Sequence, residues 1–326
     1  MKIAVIGAGA IGGWLAARLA LAGDDVSVIA RGATLRQLAS HGVELRSGGR
    51  TEVARVCASA SAAELGPQDV VLLTVKAPAL PALAPGLGAL LHENTLVLNA
   101  GNGLPWWYFL PPGRPCSGLR LRGADPDGSL ESAFPLPRVL GLSVFAACHC
   151  PAPGVVQHDS GGRLVIGEPA GGSSARLEQL TRHLQAAGLD AQASTDIRRD
   201  IWIKLLGNAC FNPVSLITGA PTDEMIDQPE LHALFVRMMD EAIAIGSRLG
   251  LGLQVDPVQR IAQSRALGHI RTSMLQDLDA GRAVELDAIL GTLVECAAAV
   301  AMPAPTLAEI LALARLRARH AGLPAT

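Results

Sequence analysis

Lys204, Asn208 and Asn212 stand four residues apart within an otherwise apolar stretch that includes Trp202, Ile203, Leu205, Leu206, Ala209 and Phe211. At 3.6 residues per turn, positions i, i+4 and i+8 share one helical face and drift by about 40° at each step. One ammonium and two carboxamides therefore line up between apolar flanks. A buried ammonium without a partner is costly, so the row must line something polar. In a cleft, Lys204 could give a proton to a developing alkoxide while the two Asn side chains orient an oxygen-rich small molecule. A lysine snorkelling to solvent beside two Asn near a helix end would produce the same spacing. Pro213 disfavours helical geometry in the residue before it, which places Asn212 at a kink or a helix end.

A second constellation runs from Ser273-Met274-Leu275-Gln276-Asp277 through the break at Gly281-Arg282 to Glu285. Ser273 and Glu285 thus lie on successive segments, and both could turn toward one site. A carboxylate beside Lys204 would keep its ammonium charged and oriented. An acid in the first turn of a new helix accounts for Glu285 equally well.

The chain also opens on a phosphate cradle. Lys2–Ile6 reads as a short buried strand, Gly7, Ala8, Gly9, Ala10, Ile11 and Gly12 follow at once, and residues 14–22 have helical composition. This is the G-x-G-x-x-G pattern in its strand–turn–helix context. Gly7 allows the tight turn, Gly9 lets the backbone approach a pyrophosphate, and Gly12 lets helix and strand pack closely. The helix N-terminus offers N–H groups and a positive dipole end to the phosphates. The second strand ends at Ile29-Ala30-Arg31-Gly32, with no acid to accept from ribose hydroxyls. A guanidinium there can pair with a 2′-phosphate, so NADP(H) is expected over NAD(H), and Arg36 could assist. Lys76 and Asn102 follow two later strands, at the carboxyl ends where open α/β sheets bind ligands.

These motifs need a scaffold, and composition bounds it. The chain has 326 residues, 49% of them hydrophobic and 17% charged, which fits two globular domains. A net charge of −2 argues against nucleic-acid or anionic-membrane partners. No apolar run reaches the roughly 20 residues of a bilayer span, and the first residues read as a strand, so a cytoplasmic protein is expected. Cys57, Cys116, Cys148, Cys150, Cys210 and Cys296 are scattered, as reduced thiols would be. Cys148-His149-Cys150 lacks a second ligand pair at zinc spacing, and no metal is expected. Strand and helix signals alternate up to about residue 196, with Val139–Cys148, Val155–His158 and Leu164–Gly167 as late strands and Gly161-Gly162 as a turn. Residues 104–136 interrupt that rhythm with Trp106-Trp107-Tyr108-Phe109 and a Pro/Gly-rich run. Beyond 196 only helical periodicity appears, over 229–251, 257–279, 284–300 and 306–319. The expected fold is an α/β Rossmann-like dinucleotide-binding domain over 1–196, carrying the 104–136 insertion, followed by an all-α domain over 197–326. The long apolar helix 231–249 would suit a homodimer or a buried core alike.

Taken together, these pieces resemble the ketopantoate reductase (2-dehydropantoate 2-reductase) family over nearly the whole chain. The resemblance rests on the glycine motif, Val75-Lys76-Ala77, Asn102-Gly103, Lys204-Leu205-Leu206-Gly207-Asn208 with Asn212, and Ser273-Met274-Leu275-Gln276-Asp277 leading to Glu285. It implies NADPH-dependent reduction of a 2-oxo acid, with ketopantoate the first substrate to consider and cytoplasmic pantothenate synthesis the setting. It also implies roles: Lys204 as general acid, Glu285 as the carboxylate beside it, and Asn208, Asn212 and Ser273 on the substrate. Asn102 and Lys76 would stand by the nicotinamide, and Arg31 on the 2′-phosphate. Gly101 stands where the family commonly has Gln, and apolar Ile270 where a polar substrate contact is expected. A related reductase of another 2-oxo acid, or a non-catalytic NADP(H)-binding regulator, remains the alternative.

Overall fold

Ile3, Ala4, Val5 and Ile6 are each 0–1% exposed, the mark of a parallel strand covered on both faces. They form most of β1 (Lys2–Ile6) in the computed structural model, which describes residues 1–323. Residues 324–326, the end of the expected second domain, lie outside the described residues. The chain divides into two units: 1–75, 79–101 and 129–197 form the first, and 76–78, 102–128 and 198 onward form the second.

The first unit contains β1, β2 (Asp25–Ile29), β3 (Val43–Ser47), β4 (Arg50–Ala54), β5 (Cys57–Ser59), β6 (Val70–Leu73), β7 (Leu96–Asn99), β8 (Val139–Ala152), β9 (Val155–Gly167) and β10 (Asp190–Ser194). Its helices are α1 (Ala10–Leu21), α2 (Gly32–His41), the short α3 (Leu80–Leu83) and α4 (Ser129–Ala133), and α5 (Ala175–Ala186). All ten strands join one sheet in the order β4-β3-β9-β8-β7-β6-β1-β2-β5, with β10 also on β9. The run β8-β7-β6-β1-β2-β5 is parallel throughout. From β1 the chain goes to β2 on one side and later returns to β6 on the other. That reversal makes the carboxyl end of β1 a topological switch point. Leu15 and Leu19 of α1 pack into the core beside Ile3 and Val5.

Three features differ from the sequence reading. The late strands expected separately merge into the antiparallel hairpin β8–β9, and Gly161-Gly162 is a bulge inside β9 rather than a turn. Gly161 has φ +77°, and a Cβ there would come 2.5 Å from the Phe145 carbonyl, so only glycine lets the strands stay paired across the irregularity. The strands β3, β4 and β5, only 5, 5 and 3 residues long, were not expected. The insertion also divides differently: 102–128 belong to the helical unit, whereas Ser129 onward return to the sheet unit.

The second unit holds α6 (Ile197–Thr218) from Arg198 on, α7 (Thr222–Asp227), α8 (Pro229–Arg248), α9 (Pro257–Arg265), α10 (Ser273–Asp279), a π-helical turn (Asp287–Gly291) running into α11 (Thr292–Ala299), and α12 (Pro305–His320). Among the described residues it contains no strand. The fold is therefore a Rossmann-like α/β unit followed by an all-α unit. The single helix read over 257–279 is two, because Gly268 at φ +85° ends the first and Thr272 caps the second by accepting from the Leu275 N–H.

Pro213 does not end α6, which continues to Thr218. An interior proline costs roughly 3 kcal/mol through the lost N–H and the crowded carbonyl one turn back. Against that, Trp202, Leu205, Leu206, Phe211, Val214 and Leu216 are all at most 7% exposed, and each contributes about 1.5–3 kcal/mol on burial. Packing wins, and Asn212 stays on the helical face with Asn208 and Lys204. The aromatic run of the insertion packs against the same helix. Tyr108 donates its hydroxyl to the Arg198 carbonyl at 2.8 Å and lies 6.2 Å from the Trp202 ring.

Candidate functional site

The first unit carries the phosphate cradle. Gly7, at φ +104°, makes the turn out of β1, and a Cβ on it would stand 2.5 Å from Val75 Cγ1. A Cβ on Gly12 would fall 2.0 Å from the Gly7 carbonyl, so the helix can sit on the turn only without one. Thr74 fixes that turn by donating its hydroxyl to the carbonyls of Ile6 (3.0 Å) and Gly7 (2.7 Å), a role that a lone threonine at a strand end did not signal. Gly9 is different. Its φ is −74°, it is exposed, and a Cβ there would meet nothing within 4 Å. No conformational or packing demand within its own unit explains a glycine at that place. The α1 N-terminus is uncapped by any side chain and has no acid in its first turn. Ala8, Ala10 and Ile11 are only partly buried around it. Open space over Gly9 and free N–H groups beneath fit a pyrophosphate. Arg31 is exposed at the N-cap of α2, just past β2, and Arg36 is exposed on that helix.

The second unit carries a polar cluster. Lys204 and Asn208 are half-buried on α6, and Asn212, one turn on, is 6% exposed. The Asn208 side-chain amide donates to Asn102 Oδ1 at 3.3 Å, and Asn102 Nδ2 approaches Glu285 Oε2 at 3.5 Å. Glu285 Oε1 accepts from the backbone N–H of Ala77 at 3.1 Å. Burial lowers the Lys204 pKa to about 8, although the Glu285 carboxylate opposes that fall. Burial raises the Glu285 pKa, against the Ala77 N–H and the Lys76 charge. Sequence reasoning left Glu285 open between a helix-start acid and a partner of Lys204. It in fact lies just before the helical segment, tied to Ala77 and Asn102.

Lys76 and Ser273 make no hydrogen bond to Asn102, Asn208 or Glu285. The Lys76 ammonium forms an ion pair with Asp277 and donates to the Ala283 carbonyl at 3.2 Å. Asp277 is buried and also accepts from Arg282 Nε at 3.1 Å. The sequence reading gave this carboxylate no contact, although it falls one turn after Ser273 in the same motif. Ser273 itself is exposed in the first turn of α10 and has no hydrogen bond to the Asn102–Asn208–Glu285 group. The Ala77 N–H left no signal, because a backbone donor has no residue type.

A glycine-turn dinucleotide fold followed by a helical unit with a Lys–Asn–Glu cluster defines a two-domain oxidoreductase. Family models for "Ketopantoate reductase PanE/ApbA" match residues 3–105 and for its C-terminal part residues 196–318. The chain belongs to the ketopantoate reductase family. It is 42% identical to the 2-dehydropantoate 2-reductase of Mesorhizobium japonicum, with 99% of both chains covered. A crystal structure from Ralstonia solanacearum, described as a ketopantoate reductase, superposes with a TM-score of 0.95 at 44% identity, again over 99% of each chain. The ternary structure of D-mandelate dehydrogenase with NADH and anilino(oxo)acetate shares the fold at 21% identity and a TM-score of 0.85, over 99% of this chain and 100% of that one. No helix among the described residues is long and apolar enough to cross a membrane.

Proposed function

We propose that the protein reduces a 2-oxo acid to a 2-hydroxy acid with NADPH, and that the substrate is 2-dehydropantoate, giving (R)-pantoate for coenzyme A synthesis in the cytoplasm. The observation that carries the reading is the Lys204–Asn208–Asn102–Glu285 cluster, which gathers residues from three distant segments about one half-buried amine.

The cofactor, when bound, supplies a hydride to the carbonyl carbon. The chain's own residues do the rest. Lys204 gives its proton to the carbonyl oxygen, so the C=O becomes CH–OH and the lysine is left neutral until solvent reprotonates it. A pKa near 8 matches that task, since a general acid works best near the operating pH. Glu285 holds the ammonium in place and accepts from a substrate hydroxyl. Asn208 and Asn212 donate to the substrate's oxygens, and Asn102 keeps Asn208 and Glu285 in register. Ser273 takes the substrate carboxylate. Gly9 and the α1 amides hold the pyrophosphate, and Arg31 pairs with the 2′-phosphate. Lys76, already paired with Asp277, offers the cofactor the N–H face of its ammonium rather than a free charge.

The test is oxidation of NADPH, followed by its absorbance, against a panel of 2-oxo acids with wild type and Lys204→Ala. Turnover of ketopantoate above all other members supports the proposal. Preference for another 2-oxo acid would reassign the substrate within the same chemistry, and no turnover with any member would remove the enzymatic reading.

A further inference from the structure

Immediately after Glu285 the helix is wound as a π-turn over Asp287–Gly291. Such turns are uncommon, and they redirect backbone groups. The Thr292 N–H bonds to the Asp287 carbonyl, five residues back, instead of to that of Ala288. The Ala288 carbonyl accepts instead from the Leu104 N–H at 3.1 Å and from the Thr292 hydroxyl at 2.7 Å. Leu104 is two residues beyond Asn102. Between them Gly103, at φ +90°, lets the loop approach so closely that a Cβ would lie 2.0 Å from the Ala288 carbonyl. On the other side Gly123 meets the Asp287 carbonyl, 2.5 Å from where its Cβ would be. The π-turn is thus a dock for the 102–128 segment.

The dock is held from outside the cluster. Asp287, 9% exposed, accepts from Arg315 of α12 through both Nε (3.0 Å) and a terminal nitrogen (2.6 Å). Neither residue bonds to Glu285, Asn102 or Lys204, and neither was singled out by the sequence. We propose that the Asp287–Arg315 ion pair is a positioning device for the reduction: it fixes the π-turn, the turn fixes Leu104, and Leu104 sets Asn102 between Asn208 and Glu285. Both are positioning residues. The argument is local, since one residue of helical slippage at the π-turn would move Ala288 away from Leu104 and rotate Glu285 off Asn102. The inference rests on the proposed reductase site for its functional half, and on the ion pair and the geometry of the turn for its structural half.

The experiment separates those halves. Arg315→Met, Arg315→Lys and Asp287→Asn are compared with wild type by hydrogen exchange of the peptide spanning 102–110 and by steady-state kinetics with ketopantoate. Arg315→Met and Asp287→Asn are expected to speed exchange in that peptide roughly tenfold. They are expected to lower kcat/KM for the 2-oxo acid by about ten- to a hundredfold, the scale of a small misplacement at a reacting centre. The KM for NADPH should stay near the wild-type value, and Arg315→Lys should restore most of both losses. Unchanged exchange in Asp287→Asn and Arg315→Met would overturn the proposal, as would faster exchange with unaltered kcat/KM. If Arg315→Met fails to fold, Asp287→Asn carries the same comparison. If wild type turns over no 2-oxo acid, the reductase reading fails, while the exchange data still decide whether the pair holds the turn.

Discussion

Asn208 donates its side-chain amide to Asn102 Oδ1 at 3.3 Å, across a separation of 106 residues. One partner lies on the apolar helix α6 and the other on a loop anchored by the π-turn. The bond joins the row of polar residues on the helix to the carboxylate of Glu285, which Asn102 approaches with its other end.

Lys204→Ala should lower kcat for 2-oxo acid reduction by about 10²–10⁴-fold, the range of a positioned general acid. The KM for NADPH should hardly move, because the cradle residues are untouched. Initial rates over a matrix of both substrates decide this. Wild-type kcat in the variant would take the acid role away from Lys204.

The pH dependence has a defined sign. Lys204 must carry its proton to act as an acid, and burial has brought its pKa to about 8. For reduction, kcat/KM should be level below that value and fall as pH rises through it, since the charged form is being lost. In the oxidative direction the neutral amine is the base, so the same group should give activity that rises through pH 8. A pH profile in both directions, read as kcat/KM, tests the pair of limbs. A falling limb retained unchanged in Lys204→Ala would assign it to another group.

Two glycines of one motif should fail in different ways. Gly12→Ala drives a Cβ into the Gly7 carbonyl and should destabilise the fold by about 1–3 kcal/mol, seen as a lower Tm. Gly9→Ala meets nothing in the protein and should leave Tm near wild type, within about 0.5 kcal/mol. It should nevertheless raise the Kd for NADPH, because the methyl group occupies the approach to the pyrophosphate. Melting curves with and without NADPH separate the two effects.

Arg31→Asp should weaken NADPH by about 2–3 kcal/mol, the loss of a charge-assisted phosphate contact, with NADH altered far less. Titrations of both nucleotides measure it. Equal weakening of the two would show that Arg31 does not read the 2′-phosphate.

The sequence by itself determined the order of the two units, the glycine cradle, and the polar row on α6. Each is written in short-range pattern: a 3.6-residue period, a strand that runs into a Gly-rich turn, a change from alternating to purely helical signals. Local reading went astray where long-range packing outweighed it. Pro213 argued for a kink or a helix end at Asn212; several buried apolar side chains outweigh one lost hydrogen bond, and the helix does not end there. Gly161-Gly162 spelled a turn, yet pairing with β8 turned it into a bulge. Lys76 and Asn102 were legible as residues at strand ends, but what they touch was not. The tertiary structure alone decided that Lys76 is held by Asp277, that Ala77 offers its N–H to Glu285, and that the 102–128 segment docks on a π-turn held by Arg315. Those contacts span about 30 to more than 200 residues and depend on backbone groups and burial, which no spacing in a single chain records.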